Sequence, residues 1–203
     1  MKKFKPFLNY EKEERWLADM ASQGYHLKEV GFGYSFESAP PEQVVIKIDY
    51  RRFKKEQDFL DYLALFEDSG WQHISGTKKS GSQYFKKTNS DSTEDIFSDT
   101  TSRAGRYKRL SDRSLALFFP FLFISSMLGD KVFGFLNPKT LYLTPGLWEM
   151  SGSEFWKHFW FETPFALMRG LPPLIMALCA ILFAIFYMAA DQLYKKTINT
   201  DNH

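Results

Sequence analysis

Cysteine is nearly missing from this chain. Cys179 is the only one in 203 residues, so no intrachain disulfide can form. It falls inside an apolar run, where a small lipid-facing residue is a better reading than a redox or palmitoylated one. Histidine is scarce as well: His26, His73, His158 and His203 stand in no metal-ligand spacing with one another or with Cys or Asp. No metal is expected. The charge is nearly balanced, with 26 Lys and Arg against 24 Asp and Glu. That argues against nucleic acid as a partner, because such domains carry a marked basic excess. Nucleophile elbows, phosphate-cradling glycine loops and His-Glu metal patterns are all lacking, so no catalytic residue and no cofactor can be named. Glu11, Glu13 and Glu14 resemble paired acids, but acids belong on the first turn of a helix because of its dipole. The opening Met1-Lys2-Lys3-Phe4-Lys5-Pro6 has the charges of a secretory signal without its apolar core, so the N-terminal part is expected to stay in the cytoplasm.

What the chain does have is two apolar runs near its C-terminal end. The mean hydropathy of -0.32 hides them by averaging over a polar N-terminal half. The first runs from Ser114 to Leu128 and follows Arg103, Arg106, Lys108, Arg109 and Arg113. The second, Leu171 to Ala190, holds no charge and precedes Lys195 and Lys196. At about 1.5 Å per residue the second run spans about 30 Å, the thickness of a bilayer core. Pro172 and Pro173 are read as its first turn. Basic residues on the outer flank of each run predict a membrane hairpin with both termini in the cytoplasm. The first run is short; it either continues as a helix to about residue 134, with Asp130 and Lys131 near the far interface, or is re-entrant or lies flat.

Residues 1–88 read as one α+β domain with an internal repeat. At a shift of 46, Gly24-Tyr25 falls on Gly70-Trp71, Trp16 on Tyr62, Leu17 on Leu63, Met20 on Phe66, Phe4 on Tyr50 and Phe7 on Phe53. The copies cover about 1–38 and 43–88. Each begins with an extended stretch and a helix (Glu11–Gln23; Glu56–Ser69) that stops at a glycine. Two strands follow in each, 25–30 and 34–37, then 71–75 and 83–87. Trp16, Leu17, Met20 and Ala21 share one helix face, as do Phe59, Leu60, Leu63 and Phe66, with Tyr62 at its border. Val44, Ile46, Ile48 and Tyr50 alternate with Val45, Lys47 and Asp49, as in a strand with one covered face. The expected fold is a duplicated β-α-β-β domain, an antiparallel sheet of up to six strands with both helices on one face, followed by a two-helix transmembrane hairpin.

The remaining segments are a linker at 89–113, acidic and then basic, transmembrane helices at 114–134 and 171–190, and a cytoplasmic tail at 191–203. Parts of the linker either dock on the domain or run as a helix into the membrane. Its basic residues also attract anionic lipid, at about 1 kcal/mol each close to the surface. Between the spans, 135–170 is rich in aromatic residues, including Trp148, Trp156, Trp160 and Phe161. It reads as an interfacial helix or as a small extracytoplasmic ligand or partner surface.

Several short runs, taken in order, resemble the bacterial "domain of unknown function 2812" family. They are Tyr10 through Leu27, Ile48-Asp49-Tyr50-Arg51, Asp68-Ser69-Gly70-Trp71-Gln72 and Gln83-Tyr84-Phe85-Lys86-Lys87. Asp95-Ile96-Phe97-Ser98-Asp99 and Arg106-Tyr107-Lys108-Arg109-Leu110 complete the series. The resemblance covers residues 1 to about 110. It implies a cytoplasmic domain of Firmicute-type bacteria, commonly followed by membrane helices and encoded beside PadR-type regulators. It carries over no site residue.

Together these readings predict a multi-pass membrane protein whose cytoplasmic domain senses or binds another protein without catalysis. Its partners would be the phospholipid bilayer and another protein. Candidate interaction residues are Tyr25 and Trp71 at the two glycine corners, with Trp156 and Trp160 between the spans. The rival expectation is an accessory subunit of a transporter or envelope-stress system, with the hairpin as the working part; a third is an enzyme acting on a membrane substrate.

Overall fold

Asn9 starts the first helix of this computed structural model, which describes residues 1–89, 95–128, 134 and 137–200. The Asn9 Oδ1 accepts the N–H of Lys12 at 2.9 Å, pairing one of the donors that a first helical turn leaves open. Strand β1 (Lys2–Lys3) precedes this helix, α1 (Tyr10–Ser22), and the hairpin β2 (Tyr25–Gly31) and β3 (Gly33–Ser38) follows it. The order then recurs as β4 (Ile46–Arg51), α2 (Glu56–Asp68), β5 (Trp71–Ser75) and β6 (Gly81–Lys87). These elements belong to a unit of Met1–Ser111 and Met188–His203; a second unit spans Asp112–Tyr187.

The two halves of the first unit match in detail. Both sheets are antiparallel with the third strand in the middle, ordered β1-β3-β2 and β4-β6-β5. Each helix ends at a glycine of positive φ, Gly24 at 83° and Gly70 at 80°, where any other residue would be strained. Those glycine carbonyls accept the N–H of Ala39 and of Thr88, both at 3.0 Å. Trp16 packs against Phe7 and Phe36 at 5.3 and 5.7 Å between ring centroids, and Tyr62 against Phe53 and Phe85 at 4.8 and 5.8 Å.

Two expectations fail here. The six strands do not make one sheet, because the facing edge strands β2 and β5 are each bulged, between Leu27 and Glu29 and between His73 and Ser75. A bulge kinks its strand and raises the local twist. What joins the two edges is a side-chain bond, from the Val30 N–H to the Ser75 Oγ at 2.9 Å. Nor do both helices share a face. Neighbours on a strand point to opposite sides, and on β6 Tyr84 enters the core of Leu17, Met20, Ile46 and Ile48 beneath α1 while Phe85 enters that of Phe59, Tyr62 and Trp71 beneath α2. Helix α1 therefore covers its own sheet and one face of the other, and α2 covers the remaining face. Trp16 is only half-buried, and Leu60 of α2 is exposed.

The expected linker gives way to helix much earlier than the apolar run. Asp99 accepts the Ser102 N–H at 2.7 Å, and α3 (Thr100–Met127) runs on from there. Ala104, Arg106, Tyr107 and Ser111 of α3 are buried. Leu193 and Tyr194, near the end of the last helix α4 (Gly152–Asn199), pack on the same core as Tyr107. The first unit thus takes in more chain than residues 1–88. Residues 90–94, Asp130, Lys131 and His203, all of which figured in the sequence reading, lie outside the described residues.

In the second unit, α4 begins well before the expected span and keeps Pro164, Pro172 and Pro173 in its interior. The proline pair is therefore not a first turn, and the carbonyls four residues before each proline lose their usual helical donor. Phe121 of α3 stacks on Phe183 of α4 at 5.5 Å. The segment between holds short 3₁₀ turns at Pro138–Leu141 and Leu147–Glu149. Glu162 ties it to α4 by accepting the N–H groups of Leu143 and of Thr144, the latter at 2.8 Å. Arg169 pairs with Glu162 at 3.1 Å and donates to the Leu141 carbonyl. With 28 and 48 residues, α3 and α4 are long and apolar enough to cross a membrane, which points to membrane association.

Candidate functional site

Because α1 lies between two sheets, acids on its first turn face protein rather than water. Glu13 is 3% exposed and Glu14 is 7% exposed. The helix dipole, which the sequence offered as the reason for these acids, therefore leaves out their main contacts, which are with buried protein groups. Glu13 Oε1 accepts the hydroxyls of Tyr34 and Tyr84, each at 2.7 Å. Burial pushes the Glu13 carboxyl above its usual range, the two phenols opposing the rise without cancelling it. Burial first, and the Glu13 carboxylate next, push both phenols up, so they stay protonated as donors.

Glu14 meets the exposed edge of the second sheet. The outer strand β4 turns the N–H and C=O of Ile48 away from β6, and an edge of this kind invites unwanted pairing unless it is covered. The Ile48 N–H donates to Glu14 Oε1 at 3.0 Å, and the Ile48 carbonyl accepts from Arg106 Nη1 at 2.7 Å. Two residues on, the Tyr50 N–H donates to Asp49 Oδ1 at 2.8 Å and the Tyr50 carbonyl accepts from Arg109 Nε at 2.5 Å. Asp49 is buried, pairs with Arg109 and accepts the Tyr62 hydroxyl at 2.9 Å. Charged side chains of α1 and α3 thus close the edge.

Arg106 is the centre of this arrangement. It is 1% exposed, lies 2.5 Å from Glu14 and 2.8 Å from Glu11, and its guanidinium sits 5.2 Å from the rings of Tyr10, Phe97 and Tyr107. Such rings attract a cation through their negative faces. Tyr107 donates to Glu11 at 2.5 Å and accepts the Tyr10 N–H at 3.0 Å. Burial raises Glu11, but the Tyr107 hydroxyl and the Arg106 charge outweigh it and hold the carboxyl below its usual range. For Glu14 burial wins over Arg106 and Lys47, and its carboxyl stays raised. Arg103 meets Asp95 at 2.5 Å, and Lys47 lies 3.6 Å from the same acid.

Three basic residues read from sequence as topology and lipid signals, Arg103, Arg106 and Arg109, therefore spend their charge inside the domain. A signal for this was present: Arg103, Arg106, Tyr107 and Leu110 follow the three- and four-residue spacing of one helix face. The residues picked from sequence do not gather here. Trp71 is 1% exposed in the α2 core, where its Nε1–H has no partner among the described residues, so it offers no ring to a partner. Tyr25 is half-buried, and Trp156 and Trp160 are exposed on α4.

The histidines are engaged locally. His26 Nε2 lies 2.9 Å from the Pro40 carbonyl, and His73 Nε2 lies 3.0 Å from Gln83 Oε1. Burial lowers the His73 pKa and favours its neutral ring. Among the described residues no three of His, Cys, Asp or Glu stand close enough to hold a metal ion. The ion network ties α1 and α3 to the edge of β4 through charged side chains.

Neither the curated proteins nor the solved structures compared with this chain include a significant match to it. A family model does match, over residues 9–119, from the first helix to the middle of α3 and across every residue of the ion network. The chain belongs to that family, described as protein of unknown function (DUF2812).

Proposed function

We propose that this is an integral membrane protein with both termini in the cytoplasm, whose first unit is a non-enzymatic sensing or protein-interaction domain with a regulatory role. The observation that carries the reading is the burial of Arg106 between Glu14 and the Ile48 carbonyl. The helix bearing it continues into the first apolar run, so a change in the sheet edge and a change in that helix are linked events. The matched strand orders, glycine corners and aromatic clusters support descent of the domain from a duplicated β-α-β-β unit. Its partner would be a cytoplasmic protein.

The second reading makes the hairpin the working part, as in an accessory subunit of a transporter or envelope-stress system. It is favoured by the buried Glu162 and its bonds to Leu143, Thr144 and Arg169, which give the second unit a polar centre of its own. Affinity capture of the full chain from detergent-solubilised cells separates the two. A soluble partner retained by the full chain and lost with Arg106→Ala supports the sensing domain. Capture of integral membrane proteins alone, unaffected by that change, supports the second reading.

A further inference from the structure

Phe32 is 99% exposed at the turn between β2 and β3, and it stacks on Phe4, 71% exposed, with centroids 5.6 Å apart. The other hairpin turns at the same end of the unit, since Val30 near the end of β2 bonds Ser75, the last residue of β5. Residues 51–55 lie along that second turn, held by the pairing of Arg51 with Gly81 and by the Phe53 N–H on the Lys78 carbonyl at 3.0 Å. Arg52, Lys54, Lys55 and Lys79 are thereby gathered there; all four are exposed, and none has an ion-pair partner among the described residues. Of the carboxylates nearby, Glu56 is taken up by Lys78 at 2.8 Å, Asp58 follows on the first turn of α2, and Glu29 lies beside the Phe32 turn.

Within the first unit, the opening turns of α3 run toward this end too. Arg103 lies with Lys47 on Asp95, Arg106 bonds the Ile48 carbonyl and Arg109 that of Tyr50, so α3 follows β4 toward Arg51. The residues that follow in the chain are those read above as entering the bilayer.

We propose that this end of the first unit docks on an anionic bilayer, with the Phe4–Phe32 pair in the headgroup layer and Arg52, Lys54, Lys55 and Lys79 on lipid phosphates. The inference rests on the membrane reading and deepens it. Aromatic rings favour the interface, and clustered cations are drawn to anionic lipid there. Charge complementarity selects this occupant over a protein, because exposed cations without protein partners match a surface of phosphates. Docking makes the position of the domain depend on lipid charge, which gives the sensing function an input.

The test uses the full chain with Cys179→Ala and Gly31→Cys, where an added side chain meets nothing within 4 Å and both rings stay in place, labelled with an environment-sensitive fluorophore. It is reconstituted into phosphatidylcholine vesicles and into equal parts phosphatidylcholine and phosphatidylglycerol. Docking predicts a blue-shifted probe, quenched by nitroxide lipids, in the anionic vesicles only. Removing each cation lowers the docked-to-undocked ratio about fivefold, and added salt acts the same way. A probe that stays in water, that is equally buried in neutral vesicles, or that shifts without lipid quenching overturns the docking, the last by showing a protein contact. Failure of the chain to float with either vesicle overturns the membrane reading itself.

Discussion

Arg106 and Glu14, 92 positions apart in the chain, meet at 2.5 Å with both side chains almost wholly withdrawn from water. The pair is more than a salt bridge, because the same two side chains complete the hydrogen bonds of Ile48 on the sheet edge. A buried pair of this kind need not add net stability, since desolvating two charges offsets much of their attraction. Removing one member is a different matter: it strands a buried charge and opens a sheet edge.

Arg106→Ala is accordingly expected to cost about 3–5 kcal/mol of unfolding free energy in detergent-solubilised full chain. The double change Arg106→Met with Glu14→Leu should recover part of that loss, because the buried Glu14 charge leaves with its partner and only the partly exposed Glu11 loses an ion pair. Equal losses in the single and double variants would show that the packing of α3, and not the charge, was removed.

The pH response has a sign that follows from the raised carboxyls. The Glu13 carboxyl has a folded pKa above its unfolded value of 4.5, so the stability it contributes is complete below pH 4.5 and lost as pH rises through the folded value. Glu14 acts in the same direction, and Glu11, with a lowered pKa, loses its contribution as pH falls through its own folded value. Glu13→Gln keeps an acceptor for Tyr34 and Tyr84 without a titrating charge. Chemical denaturation across pH 4–8 should find the variant level with the parent at the acid end and increasingly more stable above it. A constant difference over the range would mean that Glu13 does not titrate there.

Trp71→Ala is expected to cost about 3–5 kcal/mol, as for a large ring lost from a core. Trp71→Phe should cost much less, because the indole N–H makes no hydrogen bond among the described residues that could be lost. Trp16→Ala should fall near the lower end, since that ring is half-exposed. Thermal melts of the three variants in one detergent order them directly.

A fragment of residues 1–88 lacks Arg106, Arg109, Tyr107 and Leu110, and with them the closure of β4. It is expected to melt at a lower temperature than residues 1–111 and to aggregate through the open edge. Circular dichroism and light scattering on the two fragments check this. Equal melting temperatures would assign the helix no part in the stability of the domain.

Periodicity revealed the parts of this fold that depend on local pattern. Leu17 and Met20 on one helix stripe, the alternation of Ile46 and Ile48, and the two glycine corners all stand where their spacing puts them. The layering was not legible, because Tyr84 and Phe85 look alike as apolar neighbours and only the sheet decides which core each enters. The ion network was missed for a stronger reason. A glutamate on a first turn reads as a partner of the helix dipole, and an arginine ahead of an apolar run reads as a topology signal. Only the docking of α3 alongside α1 shows that Glu14 and Arg106 are partners.

Topology gives the last test. Fusions of an export-dependent reporter should be active at position 145 and silent at 95 and 203 if α3 and α4 each cross the bilayer once. The basic residues left free on the chain still favour that orientation: Arg113 is exposed, and Lys196 lies on the last turns of α4 beyond the apolar run. The buried Arg106 adds a constraint that charge counting lacks. It can be paired with Glu14 only if the start of α3 lies on the same side as residues 1–89. Arg106→Glu should therefore unfold the first unit while leaving the reporter at 145 active, since Arg113 and the long apolar run of α4 remain. Loss of activity at 145 in that variant would show that the folded domain, and not the flanking charge, sets the orientation of the hairpin.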